Sequence, residues 1–206
     1  MPKQESPLQT LEEFLPPGSF NMVEQYLVHY KVHLTITRSR TTILGDYRHA
    51  VHGKNHRISV NGNLNPYGFL ITLLHELAHL LTFQFHGNRV AAHGREWKKE
   101  FGEILKTFIQ ADIFPSIIRE SLVKSLHNPA ASSCADDDLM RVLRQFDDKR
   151  DGIHLVEELN KGELFAIKGG RIFKKGDVLR KRITCTELRT GKTYLFSPVY
   201  EVRKIN

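Results

Sequence analysis

The sequence has very little cysteine: only Cys134 and Cys185 occur among 206 residues. Two thiols cannot form a disulfide framework or a four-cysteine zinc site. The chain also lacks an apolar run that could cross a bilayer, because its most apolar stretch, residues 69–85, contains Glu76 and two histidines. Its first residues lack the basic and then apolar layout of a signal peptide. We therefore expect a cytoplasmic protein that is neither secreted nor embedded in a membrane.

Acidic side chains are scarce in the last part of the chain. Residues 161–206 contain 12 Lys and Arg but only four Asp and Glu, a net charge of +8. The whole chain carries +7. A basic surface of this kind attracts nucleic acid or another polyanion. A lysine-rich surface that only aids solubility has the same composition, so charge alone leaves both interpretations open.

Hydrophobic periodicity predicts two parts of different character. Helices are expected over residues 8–15, 19–30, 66–86, 94–110, 116–125 and 139–146, and strands over residues 32–36, 42–47 and 57–60. After residue 151, short apolar runs alternate with turn signals, which predicts strands over residues 154–158, 164–167, 178–184, 193–196 and 199–202. The predicted fold class is α+β, with one domain over residues 1–150 and a small basic antiparallel β-module over residues 151–206.

One motif carries chemistry: residues 75–79 read His-Glu-Leu-Ala-His, the pattern H-E-x-x-H. Residues four apart lie one above the other on a helix, so His75 and His79 can reach one zinc ion at about 2.0–2.1 Å. Glu76 lies beside that face and can take a proton from a water that the metal activates. Burying an unpaired carboxylate costs several kcal/mol, so a helix rich in Leu and Phe has no structural use for these groups. The motif therefore predicts a zinc-dependent hydrolase with Glu76 as general base.

A catalytic zinc needs a third protein ligand and an open coordination position. The metzincin pattern would place glycine at position 82 and histidine at position 85, where this chain has Thr82 and Phe85. His93 is the better candidate, because it directly precedes the next long helix, where a turn can return the chain to the metal. Glu96 and Glu100 remain alternative carboxylate ligands.

Three further side chains could stabilise the oxyanion of a tetrahedral intermediate: Tyr47, Tyr67 and Arg95. Each of these residue types is more often structural in such a position. Glu76 is therefore the only residue that we assign to catalysis from the sequence.

Three pieces of the chain resemble the SprT family, whose eukaryotic relatives include the Spartan proteases. They are residues 41–47, residues 55–63, and residues 73–79 followed by His86-Gly87 and residues 93–97, and they lie within about residues 20–110. The resemblance implies that His75, His79 and His93 bind zinc and that Glu76 is the base. It also implies a minimal zincin-like core, with helices packed on a short mixed sheet, and zinc-dependent hydrolysis of peptide bonds.

The chain departs from this family in one respect. Many members carry a C-terminal zinc ribbon with four cysteines, which Cys134 and Cys185 cannot supply. We expect a bacterial member whose β-module is a degenerate, metal-free relative of that ribbon. A lone cysteine such as Cys185 is more often a small buried apolar residue than a ligand.

The sequence thus predicts a zinc metallopeptidase that acts on a protein or peptide substrate and binds no membrane. In the eukaryotic branch of the family the substrates are proteins crosslinked to DNA, so DNA is a candidate partner of the basic β-module. An alternative is a zinc-containing nucleic-acid-binding protein with vestigial or no peptidase activity. Zinc-dependent hydrolysis of a non-peptide substrate is a further alternative.

Overall fold

The computed structural model describes residues 7–40, 43–51, 53–126, 136–148 and 151–205. The Cα positions form two compact units, Met1–Asp147 and Asp148–Asn206, close to the boundary expected after residue 150. Each unit has its own cluster of buried apolar side chains. Thr41 and Thr42 of the family resemblance, and Cys134, lie outside the described residues.

The first unit combines helices with a small sheet. Its described elements are a 3₁₀ helix (Leu8–Phe14), α1 (Phe20–His29), β1 (Val32–Thr37), β2 (Gly45–Arg48), β3 (His56–Asn61), α2 (Pro66–His86), α3 (Arg95–Gln110), α4 (Ser116–Ser125) and α5 (Asp137–Arg144). The first predicted helix is thus a 3₁₀ helix, the form that short helical segments commonly take.

The three strands form a mixed sheet in the order β1-β3-β2. β1 runs parallel to β3, with Leu34 opposite Ile58, and β2 runs antiparallel to β3, with Tyr47 opposite Ile58. β2 is therefore an edge strand, and α2 packs against it and against β3.

The central element is α2, which is apolar around most of its circumference. Six of its side chains are fully buried: Phe69, Leu70, Leu73, Leu74, Leu77 and Leu80. The Asn65 side chain caps its first turn by accepting a hydrogen bond from the Gly68 amide, and Gly87 ends it with a φ of 61°. Among the described helices, α2 alone is long and apolar enough to cross a membrane, but 67% of that window is buried inside the protein. It is therefore the core helix of the first unit.

The second unit is a single antiparallel sheet. Its described elements are β4 (Ile153–Leu155), a 3₁₀ helix (Val156–Glu158), β5 (Leu164–Ala166), β6 (Ile172–Leu179), β7 (Arg182–Glu187), β8 (Thr193–Phe196) and β9 (Glu201–Ile205). The strand order is β4-β9-β5-β6-β7-β8. Its core contains three completely buried side chains: Phe165, Phe173 and Cys185. Taken together, the helices and the two sheets confirm the α+β class predicted from the sequence.

Two predicted strands of the second unit are wrong. The strand predicted over residues 154–158 ends at Leu155, and Val156–Glu158 form a 3₁₀ helix. Residues 178–184 do not form one strand, because the chain reverses at Arg180, which has a φ of 56°, and the two halves pair as the hairpin of β6 and β7.

The sequence Lys175-Gly176-Asp177 is typical of a turn, but these residues lie inside β6. The pairing of β6 with β7 is irregular there, between Lys175 and Val178. Lys175 is buried there, with its ammonium donating to the backbone carbonyls of Glu157 and Leu159. Only the packed structure supplies those acceptors.

Candidate metal centre

Three histidine side chains meet at one point on the surface of α2. His75 and His79 lie one turn apart on that helix, and His93 approaches from the loop that precedes α3. The Nε2 atoms are 3.2 Å apart for His75 and His79, 3.1 Å for His79 and His93, and 3.3 Å for His75 and His93. Within the part of the chain that the structure describes, this is the one group of three or more His, Cys, Asp or Glu residues suited to a metal ion.

The triangle of ring nitrogens has the dimensions of a zinc site. Tetrahedral zinc with Zn–N distances of about 2.0–2.1 Å places its nitrogen ligands about 3.3–3.4 Å apart. Hydrogen bonding cannot explain the cluster, because each Nε2 is either a donor or an acceptor. At least one of the three edges must then join two donors or two acceptors. A cation that accepts all three lone pairs removes this conflict, so the residues fit a zinc ion.

The electrostatics of the cluster also suit a metal. Burial, together with the smaller effect of the neighbouring histidines, lowers the pKa of His75 to about 3 and that of His79 to about 4. Burial also lowers the pKa of His93, the least buried of the three. The imidazoles are therefore neutral at pH 7, which is the form that binds metal.

A tryptophan from α3 packs against all three rings. The ring centroid of Trp97 lies 4.7 Å from His75, 5.4 Å from His79 and 4.8 Å from His93. Trp97 is completely buried, and its indole Nε1 has no hydrogen-bond partner in the described structure. Leaving a buried N–H unpaired costs about 1–3 kcal/mol. The indole therefore holds the three imidazoles in place at an energetic cost.

Glu76 lies deep in the same site, with 6% of its surface exposed. Burial and, to a smaller extent, the charge of Asp46 raise the pKa of its carboxyl to about 8, against the opposing charge of Arg40. A bound cation would also oppose it, because a positive charge favours the anion. A carboxyl whose pKa lies near neutral pH has the proton affinity that a general base requires.

The backbone of β2 passes unusually close to this carboxyl. A Cβ atom built on Gly45 would lie 2.4 Å from Glu76 Oε1 and 2.8 Å from its Cγ. Only glycine therefore allows β2 and the Glu76 side chain to occupy their observed positions. Arg40 supports the same region by donating hydrogen bonds to Asn61, Ser59 and the Leu44 carbonyl, directly before β2.

An open cavity of about 590 Å³ leads to the cluster. Its walls include β2, the histidine face of α2 and the loop that ends in His93. Tyr47 of β2 also lines it, with a ring parallel to that of His79 at a centroid distance of 6.5 Å. Its hydroxyl is 2.9 Å from His56 Nδ1, and His56 Nε2 is 3.0 Å from Gln84.

The structure separates the candidates that the sequence left open. Glu96 and Glu100 are not part of the cluster of possible metal ligands. Tyr67 packs against Phe114 and Phe146 and does not line the cavity. The Arg95 side chain is 95% exposed and lies 3.9 Å from Glu96. Tyr47 alone of the three oxyanion candidates lines the cavity.

Sequence reasoning missed two residues that shape the site. The sequence predicts Trp97 only as an apolar residue of the helix over residues 94–110, and nothing in the sequence shows that it lies against the histidines. Gly45 was noted only as part of a family-like segment. A glycine in an otherwise regular edge strand is the signal that could have found it, because it often marks a close approach of another group.

The fold and the cluster define a class: an α+β domain whose core helix presents a His-Glu-x-x-His pattern and a third histidine to an open cavity. Residues 20–113 match the SprT-like family, which agrees with the resemblance of this part of the chain. No curated protein and no solved structure matches the chain.

Proposed function

We propose that the protein is a zinc-dependent metallopeptidase in which His75, His79 and His93 hold the metal and Glu76 is the general base. The observation that carries this proposal is the triangle of ring nitrogens beside a buried carboxyl. Zinc held there would act as a Lewis acid on the scissile carbonyl and lower the pKa of a water to about 7.

The edge strand β2 supports a peptide as the substrate. Three of its residues, Gly45, Asp46 and Tyr47, line the cavity, and β2 is at the edge of its sheet. An edge strand can bind an extended peptide through backbone hydrogen bonds. A peptide paired with β2 passes the histidine cluster, because Gly45 contacts Glu76 and Tyr47 stacks on His79. Glu76 takes the proton of the attacking water and passes it to the leaving amine.

The decisive experiment compares the wild type with Glu76→Gln, both loaded with one zinc per chain. The substrates are an unstructured protein, such as casein, and a DNA-binding protein, each with and without single-stranded DNA. We expect cleavage by the wild type and a loss of at least about 10²-fold in Glu76→Gln, because general-base catalysis contributes 10²- to 10⁴-fold. Equal activity in the two proteins would contradict the assignment of Glu76.

His93→Ala tests the third ligand. We expect it to lower zinc stoichiometry, whereas Glu96→Ala and Glu100→Ala retain one zinc per chain, because neither carboxylate belongs to the cluster. Full zinc retention in His93→Ala would show that another group completes the site.

We further propose that the β-module binds nucleic acid and brings the peptidase to DNA-associated proteins. Three of its seven acidic residues, Glu163, Asp177 and Glu187, are each paired with a Lys or Arg. Nine Lys and Arg residues of this unit form no ion pair among the described residues: Lys168, Lys174, Lys175, Arg180, Lys181, Arg182, Arg189, Lys192 and Arg203. The same cations favour the second candidate function, a zinc-containing nucleic-acid-binding protein without peptidase activity.

Charge reversal at Arg180 and Arg182 separates these functions. We expect the double Glu variant to lose oligonucleotide affinity at least about tenfold at 50 mM salt and to lose any stimulation of cleavage by DNA. Cleavage of casein should be unchanged. Oligonucleotide binding by a wild type that cleaves neither substrate would favour the binding function.

A further inference from the structure

A second cavity, of about 700 Å³, lies along α3 on the other side of His93. His93 lines both this cavity and the one that leads to the metal cluster. The two cavities therefore share a wall at His93, and this wall places the second cavity beside the histidine cluster.

Cations dominate the lining of this second cavity. It is lined by Arg95, Lys98, Lys99 and Lys106, whereas Glu103 is its one acidic residue. Lys99 and Lys106 are exposed and seven residues apart, so they lie on the same face of the helix. The cavity therefore has a net positive charge.

The floor of the cavity is formed where α3 approaches the end of α4. A Cβ built on Gly102 would lie 3.2 Å from the backbone carbonyl of Leu126, so a larger residue would push the two segments apart. The carbonyls at the end of α4 carry a partial negative charge of about half an electron. That charge is small beside the four cations.

We propose that this cavity is a specificity subsite for acidic side chains of the substrate, located two to five residues from the scissile bond. The inference rests on the proposed peptidase function and names its preferred substrate: an extended segment rich in Asp and Glu on one side of the cleaved bond. A helix rises 1.5 Å per residue, so Arg95 and Lys106 are about 16 Å apart along α3. An extended peptide covers that distance with about five residues.

An acidic peptide fits the cavity better than a nucleic acid does. Single strands are held by basic grooves that also offer aromatic rings for base stacking. Among the described residues, the imidazole of His93 is the only aromatic ring that lines this cavity. Carboxylates need only the ammonium and guanidinium donors that are present. The shared wall at His93 also places the ligand beside the site of cleavage, where a substrate side chain would be.

Binding to the inactive, zinc-loaded Glu76→Gln protein tests this subsite without requiring hydrolysis. The probes are two fluorescent ten-residue peptides of the same sequence, one with four Asp or Glu residues and one with Asn or Gln in their places. We expect the acidic peptide to bind at least about fivefold more tightly, and the difference to shrink in 0.5 M salt. Lys99→Glu with Lys106→Glu should abolish or reverse the preference.

The matched control is Lys31→Glu with Lys124→Glu, which makes the same change of charge. Both lysines are exposed in the same unit, and neither lines either cavity. The subsite would be overturned if the preference for the acidic peptide survived in the Lys99 and Lys106 variant, or if it fell equally in the control. It would also be overturned if the Lys99 and Lys106 variant lost affinity for single-stranded DNA but bound both peptides as tightly as the Glu76→Gln protein does.

Failure of the subsite and failure of the peptidase proposal give different results. If the active protein cleaves both peptides equally and the cavity variant changes neither rate, the peptidase proposal stands and the subsite does not. If the acidic peptide binds selectively but the protein with Glu76 intact cleaves nothing, the cavity is an acidic-peptide site and the peptidase proposal fails.

Discussion

At the scale of single residues, the Glu76 carboxyl is the group on which the proposed chemistry depends. It is buried between α2 and the backbone of Gly45, with Asp46 near enough to raise its pKa and Arg40 near enough to lower it. The position of Glu76 is thus controlled by a residue without a side chain.

Gly45→Ala tests this control. The new methyl group would overlap the Glu76 carboxyl, so we expect the carboxyl to move and kcat/KM to fall at least about tenfold while zinc stoichiometry is unchanged. Gly68→Ala is the control, because its Cβ would meet nothing closer than 3.5 Å and alanine favours a helix. Full activity in Gly45→Ala would contradict the close packing of β2 on Glu76.

The raised pKa of Glu76 also predicts that the free energy of unfolding of the metal-free protein depends on pH. Its folded pKa of about 8 lies above the ordinary value of 4.5, so the folded state holds a proton that the unfolded state releases. The free energy of unfolding should therefore fall as pH rises from about 5 to 8. We expect Glu76→Gln to become progressively more stable than the wild type over this range, as measured by urea denaturation with a chelator. A difference in stability that stays constant over this pH range would argue against the raised pKa.

At the scale of elements, the histidine cluster is built by two helices of different character. α2 is a core helix that supplies His75 and His79, and α3 is an amphipathic helix that places Trp97 against them. The geometry of the proposed zinc site therefore depends on how the two helices pack.

Trp97→Phe tests that dependence. A phenyl ring fills less of the space beside the imidazoles, so we expect zinc affinity to fall about tenfold in a competition with a chelating dye. Stability of the metal-free protein should change little, since the lost packing is offset by removal of an unpaired N–H. Phe108→Leu, buried further along α3, should instead lower stability and leave zinc affinity unchanged.

A further prediction concerns the contribution of the N-terminal cap of α2 to stability. The Asn65 side chain accepts from the Gly68 amide and donates to the Leu143 carbonyl and to Asp147, so it joins α2 to α5 and to the chain that follows it. We expect Asn65→Ala to lower the free energy of unfolding by about 2 kcal/mol. Asn63→Ala, two residues earlier and exposed, is the control and should change it by less than about 0.5 kcal/mol.

At the scale of the whole molecule, the chain contains two separately packed units. The apolar cluster of the first draws its buried members from residues 11–143 and that of the second from residues 156–202. A chain that ends at Asp147 keeps every candidate zinc ligand and Glu76. We expect this fragment to fold, bind one zinc and cleave casein, but to lose nucleic-acid affinity. Aggregation of the fragment would show that the first unit needs the β-module for stability.

The sequence by itself determined the features that depend on local spacing. Histidines four residues apart must share one face of a helix, Gly87 must end that helix, and repeated turn signals after residue 151 must produce short strands. These patterns were sufficient for the α+β class and for the family of residues 20–113. They failed at the hairpin of β6 and β7, because the contacts that bury Lys175 come from distant carbonyls.

Only the tertiary structure decided which distant groups meet. It brought His93 to within 3.3 Å of ligands 14 and 18 residues earlier in the chain and left Glu96 and Glu100 outside the cluster. It also placed Gly45 against Glu76, Trp97 beside the imidazoles, and four cations of α3 around a cavity that shares His93. The physical reason is that spacing specifies neighbours within one helix or strand, whereas contacts between elements depend on how their surfaces pack.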